Sequence, residues 1–103
     1  MLQKTEFIWF DGKLVPWDQA QVHVLAHGLH YGTGVFEGIR AYACPDGSSA
    51  VFRLPEHSKR LVNSAKILGI DMPYTADEIS KAIVETVVAN KLSEGYIRPL
   101  AFA

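Results

Sequence analysis

Arginines, tyrosines and histidines at regular spacings are the groups in this chain best equipped for chemistry. Arg60 falls about one turn inside an expected helix, after Glu56 and His57. A guanidinium is a planar donor fork that matches a phosphate or carboxylate. A helix N-terminus adds N–H groups that favour an anion. An exposed helical arginine would give the same spacing. Tyr96 and Arg98 flank Ile97 on an expected strand, and period-two alternation sends both side chains to one face. A phenol beside a guanidinium makes a carboxylate receptor. A solvent-facing strand edge is the plainer alternative, and Pro99 favours an edge or a strand end.

Other combinations carry less. His23, His27 and His30 would share one face of a helix, but Gly28 and the alternation of Val22, Val24 and Ala26 with Gln21, His23 and Leu25 point to extended chain. No carboxylate completes a metal-binding set beside them, so no metal is expected. Cys44 has no activating base nearby and reads as an inert thiol. Glu37 and Arg40 lie three apart on an expected strand, face opposite sides and need not pair. No Ser-His-Asp set is readable.

The densest segment is His30-Tyr31-Gly32-Thr33-Gly34-Val35-Phe36-Glu37-Gly38-Ile39-Arg40. Strand interiors disfavour glycine, whereas unusual backbone angles and close approach to a ligand favour it. This segment therefore reads as a strand entry shaped around something small. It is not a dinucleotide fingerprint, which joins a strand to a helix with a different glycine spacing.

Several elements must position these groups. Phe7–Phe10 and Lys13–Val15 flank Asp11-Gly12, a strong two-residue hairpin signal. Gly34–Cys44 reads as one strand, residues 45–49 as a polar loop and Ala50–Leu54 as the returning strand. Pro55 opens a helix carrying Leu61, Ala65 and Leu68 at helical spacing, with Gly69 as its C-terminal cap. Thr75 and Glu78 match a capping box. Ile79, Ala82, Ile83, Val87 and Leu92 form the apolar face of the second helix, and Gly95 ends that segment. Tyr96–Ala103 reads as a final strand. The order argues for a single α+β domain, residues 1–103, with a largely antiparallel sheet and two helices.

Composition narrows the partners. The chain has 103 residues and a formal charge of −1, so nothing attracts nucleic acid or an anionic membrane non-specifically. Residues 1–6 resemble neither an export signal nor a transit peptide, and no apolar run reaches membrane-spanning length. One cysteine allows no intramolecular disulfide and fits a cytoplasmic location. Hydrophobic residues make up 49%, an excess for this size that implies a face awaiting a partner.

Taken in order, Ile8-Trp9-Phe10-Asp11-Gly12, the His30–Arg40 segment, Val51-Phe52-Arg53, Glu56-His57, Arg60-Leu61 and Tyr96-Ile97-Arg98-Pro99-Leu100 resemble the N-terminal small domain of bacterial branched-chain amino acid aminotransferases. These are class IV enzymes of fold type IV that depend on pyridoxal phosphate. The resemblance covers essentially the whole chain. It implies that Arg60 binds the cofactor phosphate and that Tyr96 and Arg98 receive the substrate carboxylate. It implies that Phe36 and Gly38 line the side-chain pocket, and that Tyr31 reaches into the neighbouring subunit of a dimer.

The implied reaction moves an amino group from leucine, isoleucine or valine to 2-oxoglutarate. D-amino-acid aminotransferases and aminodeoxychorismate lyases are alternatives within the fold. A non-catalytic module that dimerises through its strands and apolar face is a third. The family's Schiff-base lysine lies in a second, larger domain, and none of Lys4, Lys13, Lys59, Lys66, Lys81 and Lys91 sits in a matching segment. No catalytic residue is therefore expected in this chain. The chain also stops inside the apolar run Leu100–Ala103, so it is expected to be one piece of the enzyme, inactive alone and completed by a C-terminal domain.

Overall fold

The structure, a computed structural model, describes residues 4–103. Met1, Leu2 and Gln3, which open the segment read above for export signals, lie outside the described residues. Strands β1 (Phe7–Phe10) and β2 (Lys13–Pro16) form the expected hairpin, with Phe10 opposite Lys13. Asp11 and Gly12 both take positive φ, 50° and 101°, the signature of a primed turn that matches strand twist. A single helical turn at Trp17–Gln19 leads to the short helix α1 (His27–Tyr31).

Strands β3 (Gly34–Phe36), β4 (Ile39–Ala43) and β5 (Ser49–Val51) follow, then helices α2 (Leu54–Ile67) and α3 (Ala76–Ala89), then strands β6 (Gly95–Ile97) and β7 (Leu100–Phe102). Every pairing is antiparallel: β1 with β2, β3 with β7, and β4 between β5 and β6. The chain is thus α+β, and α2 and α3 are its two long helices.

Five expectations about the elements need correction. Residues 27–31 are helical rather than extended. Tertiary contacts override weak propensity here. The Gly28 N–H donates to Ala103 O at 2.8 Å, and a Cβ on Gly28 would meet Phe102 Cβ and two backbone oxygens at 3.2 Å. Gly28 is therefore the residue that lets α1 approach β7. The expected strand over 34–44 is divided at Glu37-Gly38, and the expected strand over 96–103 is divided at Arg98-Pro99.

The two breaks are one event. Phe36 pairs with Leu100 and Ile39 with Ile97, so Glu37-Gly38 lies opposite Arg98-Pro99 in unchanged register. Glu37 N–H still donates to Pro99 O at 3.0 Å, but Pro99 has no N–H to return. The returning strand also ends early, at Val51, because Arg53 turns the chain into α2 with a left-handed φ of 51°.

Helix ends follow local chemistry. Thr75 Oγ1 accepts from Glu78 N–H at 3.2 Å, and Glu78 Oε1 accepts from Thr75 N–H at 2.9 Å, completing the capping box. Gly69 closes α2 at φ 71°, with Ile70 N–H reaching back to Ala65 O at 2.9 Å. The last correction is at α3, which stops at Ala89 instead of running on toward Gly95. Lys91 takes the left-handed position there at φ 54°.

Ile39, Leu61, Ile79 and Ile83 form the buried core between the sheet and the two long helices. Ser58, 1% exposed, meets Ser80 across the α2–α3 contact at 2.7 Å, so the hydroxyls satisfy each other. Leu68, expected on the apolar face, is half exposed beyond the end of α2. Among the described residues no helix is long and apolar enough to cross a membrane.

Candidate anion and carboxylate site

The segment Phe36–Tyr42 carries two chemistries on its two faces. Glu37, Ile39 and Ala41 are buried, while Phe36, Gly38, Arg40 and Tyr42 are exposed. Period-two alternation continues through the break. Glu37 and Arg40 do lie on opposite faces, as the spacing predicts.

On the inner face Glu37 is 6% exposed, a buried carboxylate that needs hydrogen-bonding partners. Helix α2 supplies them one turn apart, at His57 and Arg60. Arg60 Nε lies 3.0 Å from Oε1 and 2.9 Å from Oε2 of Glu37, and Nη2 lies 2.8 Å from Oε1. His57 Nδ1 sits 2.7 Å from Oε1. The hydrogen bonds from Arg60 hold the Glu37 carboxyl below the ordinary carboxylate range, against the opposite pull of burial. Glu37 in turn raises the Arg60 pKa above its already high value, so the guanidinium stays charged.

Sequence reasoning found Arg60 but missed Glu37 as its partner. Two signals point part of the way to it. Glu37 shares the alternation of Ile39 and Ala41 and must therefore point inward. His57 and Arg60 share one face of α2.

On the outer face, Phe36, Gly38, Tyr96 and Arg98 come together. Arg98 Nη2 donates to Tyr96 Oη at 3.0 Å. Its guanidinium carbon lies 4.2 Å from the Phe36 ring centre and 5.4 Å from that of Tyr96. The cation rests on two aromatic faces, an attractive arrangement that leaves donor groups open. A Cβ on Gly38 would collide with Tyr96 Oη and come within 3.1 Å of its Cζ. A side chain at position 38 would therefore displace the tyrosine that lies across the strand. Tyr96 and Arg98 share a face as alternation predicts, even though the strand ends between them.

Tyr31 is not part of this cluster. It lies on α1, three-quarters exposed, with its ring 4.6 Å from that of His27. His30 Nε2 lies 2.7 Å from Val24 O and His23 Nδ1 accepts from Leu25 N–H at 3.0 Å, so these two histidines are engaged with backbone. Among the described residues no three His, Cys, Asp or Glu side chains gather as a metal would need.

Residues 34–103 match the family described as amino-transferase class IV. The chain is 50% identical over 102 residues to the branched-chain-amino-acid aminotransferase of Pseudomonas aeruginosa, a match that covers 99% of this chain and 33% of that protein. It is 47% identical over 100 residues to the enzyme of the same name from Escherichia coli K12, covering 97% of this chain and 32% of that one. Among solved structures, the branched-chain aminotransferase from Thermoproteus uzoniensis with norvaline superposes at a TM-score of 0.91 with 53% identity. It covers 96% of this chain and 33% of that chain. The branched-chain amino acid aminotransferase from Thermobaculum terrenum in its PLP-form superposes at a TM-score of 0.87 with 36% identity, again over 96% of this chain and 33% of its own. The chain thus spans about a third of the length of the relatives it matches. The match over residues 34–103 includes both faces of the Phe36–Tyr42 segment and the α2 arginine, and the chain belongs to the class IV amino-transferase family.

Proposed function

We propose that this chain is the substrate- and phosphate-contacting domain of a branched-chain amino acid aminotransferase that uses pyridoxal phosphate and 2-oxoglutarate. The observation that carries this reading is the arrangement of Phe36, Gly38, Tyr96 and Arg98. One cation, one phenol and one aromatic wall meet on a face that a side chain at position 38 would close. A branched aliphatic amino acid offers a carboxylate for Arg98 and Tyr96 and an apolar side chain for Phe36. A carboxylate accepted by both an arginine and a tyrosine is held in one orientation, the main service a binding domain gives to catalysis.

Pyridoxal phosphate fits the second arginine. Glu37 occupies the Nε and Nη2 side of the Arg60 guanidinium, so the Nη1 edge remains for a phosphate. When bound, the cofactor supplies the electron sink for amino-group transfer. This chain contributes charge and orientation.

The lysine that carries the cofactor belongs, on this reading, to the two thirds of the relatives' length that this chain does not span. The 103-residue polypeptide alone is therefore inactive. Tyr31 and the exposed Val24, Leu25 and Leu29 around it support self-association, with Tyr31 offered to a second copy. The lone thiol of Cys44 accords with a cytoplasmic enzyme.

Treatment with pyridoxal phosphate and borohydride, followed by intact-mass measurement, tests the division of labour. The expected result is no stoichiometric adduct on the 103-residue chain, and one on the protein that includes the complementary domain. A single stoichiometric adduct on any of this chain's own lysines would contradict the proposal.

A further inference from the structure

Glu37 has no assigned part in the proposed chemistry, yet it is a nearly fully buried charge whose partners both come from α2. We infer that Glu37 is a positioning residue that fixes the Arg60 guanidinium edge-on, so that its remaining edge is presented to the phosphate of pyridoxal phosphate. This inference rests on the proposed function.

A guanidinium has five N–H donors arranged on two forks: a side fork of Nε and Nη2, and an end fork of Nη1 and Nη2. Glu37 takes the side fork through both of its oxygens. Among the described residues Nη1 makes no hydrogen bond, and a bidentate end fork is left. The Arg60 side chain is 66% exposed and would otherwise sample many rotamers.

Glu37 can hold it because Glu37 is itself held. Its backbone N–H is bonded to Pro99 O at 3.0 Å, and His57 Nδ1 lies 2.7 Å from its Oε1. Glu37 also sits between Phe36 and Gly38, the two outer-face residues that contact Arg98 and Tyr96. One strand segment therefore sets the position of the phosphate cation on one face and of the carboxylate receptor on the other.

The test compares pyridoxal phosphate with pyridoxal, which lacks the phosphate, by equilibrium binding to the full-length enzyme that the proposed function implies. The quantity read is the ratio of the two affinities. Glu37→Gln should lower that ratio by about ten- to a hundredfold, the scale of a hydrogen bond to a charged group, with pyridoxal binding unchanged. Combined with Arg60→Ala, it should add nothing further. Glu37→Asp keeps the charge but withdraws it by one methylene and should fall between; it also serves if the glutamine variant folds poorly.

An unchanged ratio in Glu37→Gln and Glu37→Asp, or an equal loss for both ligands, overturns the positioning role. Arg60→Ala separates the two levels. If it leaves the ratio unchanged, the phosphate reading of Arg60 fails and this inference falls with it. If it collapses the ratio while the Glu37 variants do not, only the inference fails.

Discussion

The inner and outer faces of the Phe36–Tyr42 segment use the same sheet backbone for opposite ends. Inside, Ile39 and Ala41 are about 1% exposed and the single carboxylate, Glu37, is tied to Arg60 and His57. Outside, Phe36, Tyr96 and Arg98 are exposed, and one hydrogen bond and two ring contacts hold the cation. The inner face is fully satisfied within the chain, while the outer face keeps donors open. Fold and chemistry are thus separated by the two-residue period of a strand. Substitutions should divide the same way, into losses of stability and losses of binding.

The sharpest split sets Ile39→Ala against its neighbour. Truncating this core side chain should cost about 2–5 kcal/mol, read as a lower urea midpoint. Carboxylate binding per folded molecule should be unchanged. The reverse pattern is expected of Gly38→Ala. Its new Cβ displaces the Tyr96 hydroxyl, and a misplacement of that order costs about a hundredfold in binding or turnover. The urea midpoint should move little. If Gly38→Ala unfolds the chain while carboxylate binding by the folded fraction persists, the separation of faces is wrong.

Glu37 sharpens the comparison because it is the inner face's only charge between Phe36 and Tyr42. Its carboxyl pKa is lowered in the folded state, chiefly by the hydrogen bonds from Arg60. A lowered carboxylate pKa adds stability that is fully present above the ordinary value and is lost as pH falls through the folded one. The melting temperature should therefore drop on acidification below the ordinary carboxylate range, and the drop should be smaller in Glu37→Gln. Equal acid profiles for the two proteins would remove Glu37 from the stability account. The smallest effect is expected at the far end of the outer face. Tyr42 is half exposed with its ring nearly perpendicular to that of Phe52, so Tyr42→Thr should shift stability by no more than about 0.5 kcal/mol.

The parts of the fold that the sequence makes legible are those ruled by local chemistry. Asp11-Gly12 specifies its turn through two positive φ angles, and Thr75 with Glu78 specifies the start of α3. The parts it hides depend on distant partners. Residues 27–31 become helical because Gly28 packs on β7 and Ala103, some seventy-five residues away in sequence. The division at Glu37-Gly38 is imposed from across the ladder by Pro99. The site follows the same rule. Alternation alone puts Tyr96 and Arg98 together, whereas the Glu37–Arg60 pair requires knowing that α2 crosses the inner face of this segment.

Affinity for a branched aliphatic carboxylate such as 4-methylvalerate, compared between the native protein and Arg98→Ala with the complementary domain present, tests the central claim most directly. The account predicts a loss of about a hundredfold, the scale of removing a charged hydrogen-bond partner from its ligand, with the melting temperature unchanged. Undiminished binding in the variant would contradict it.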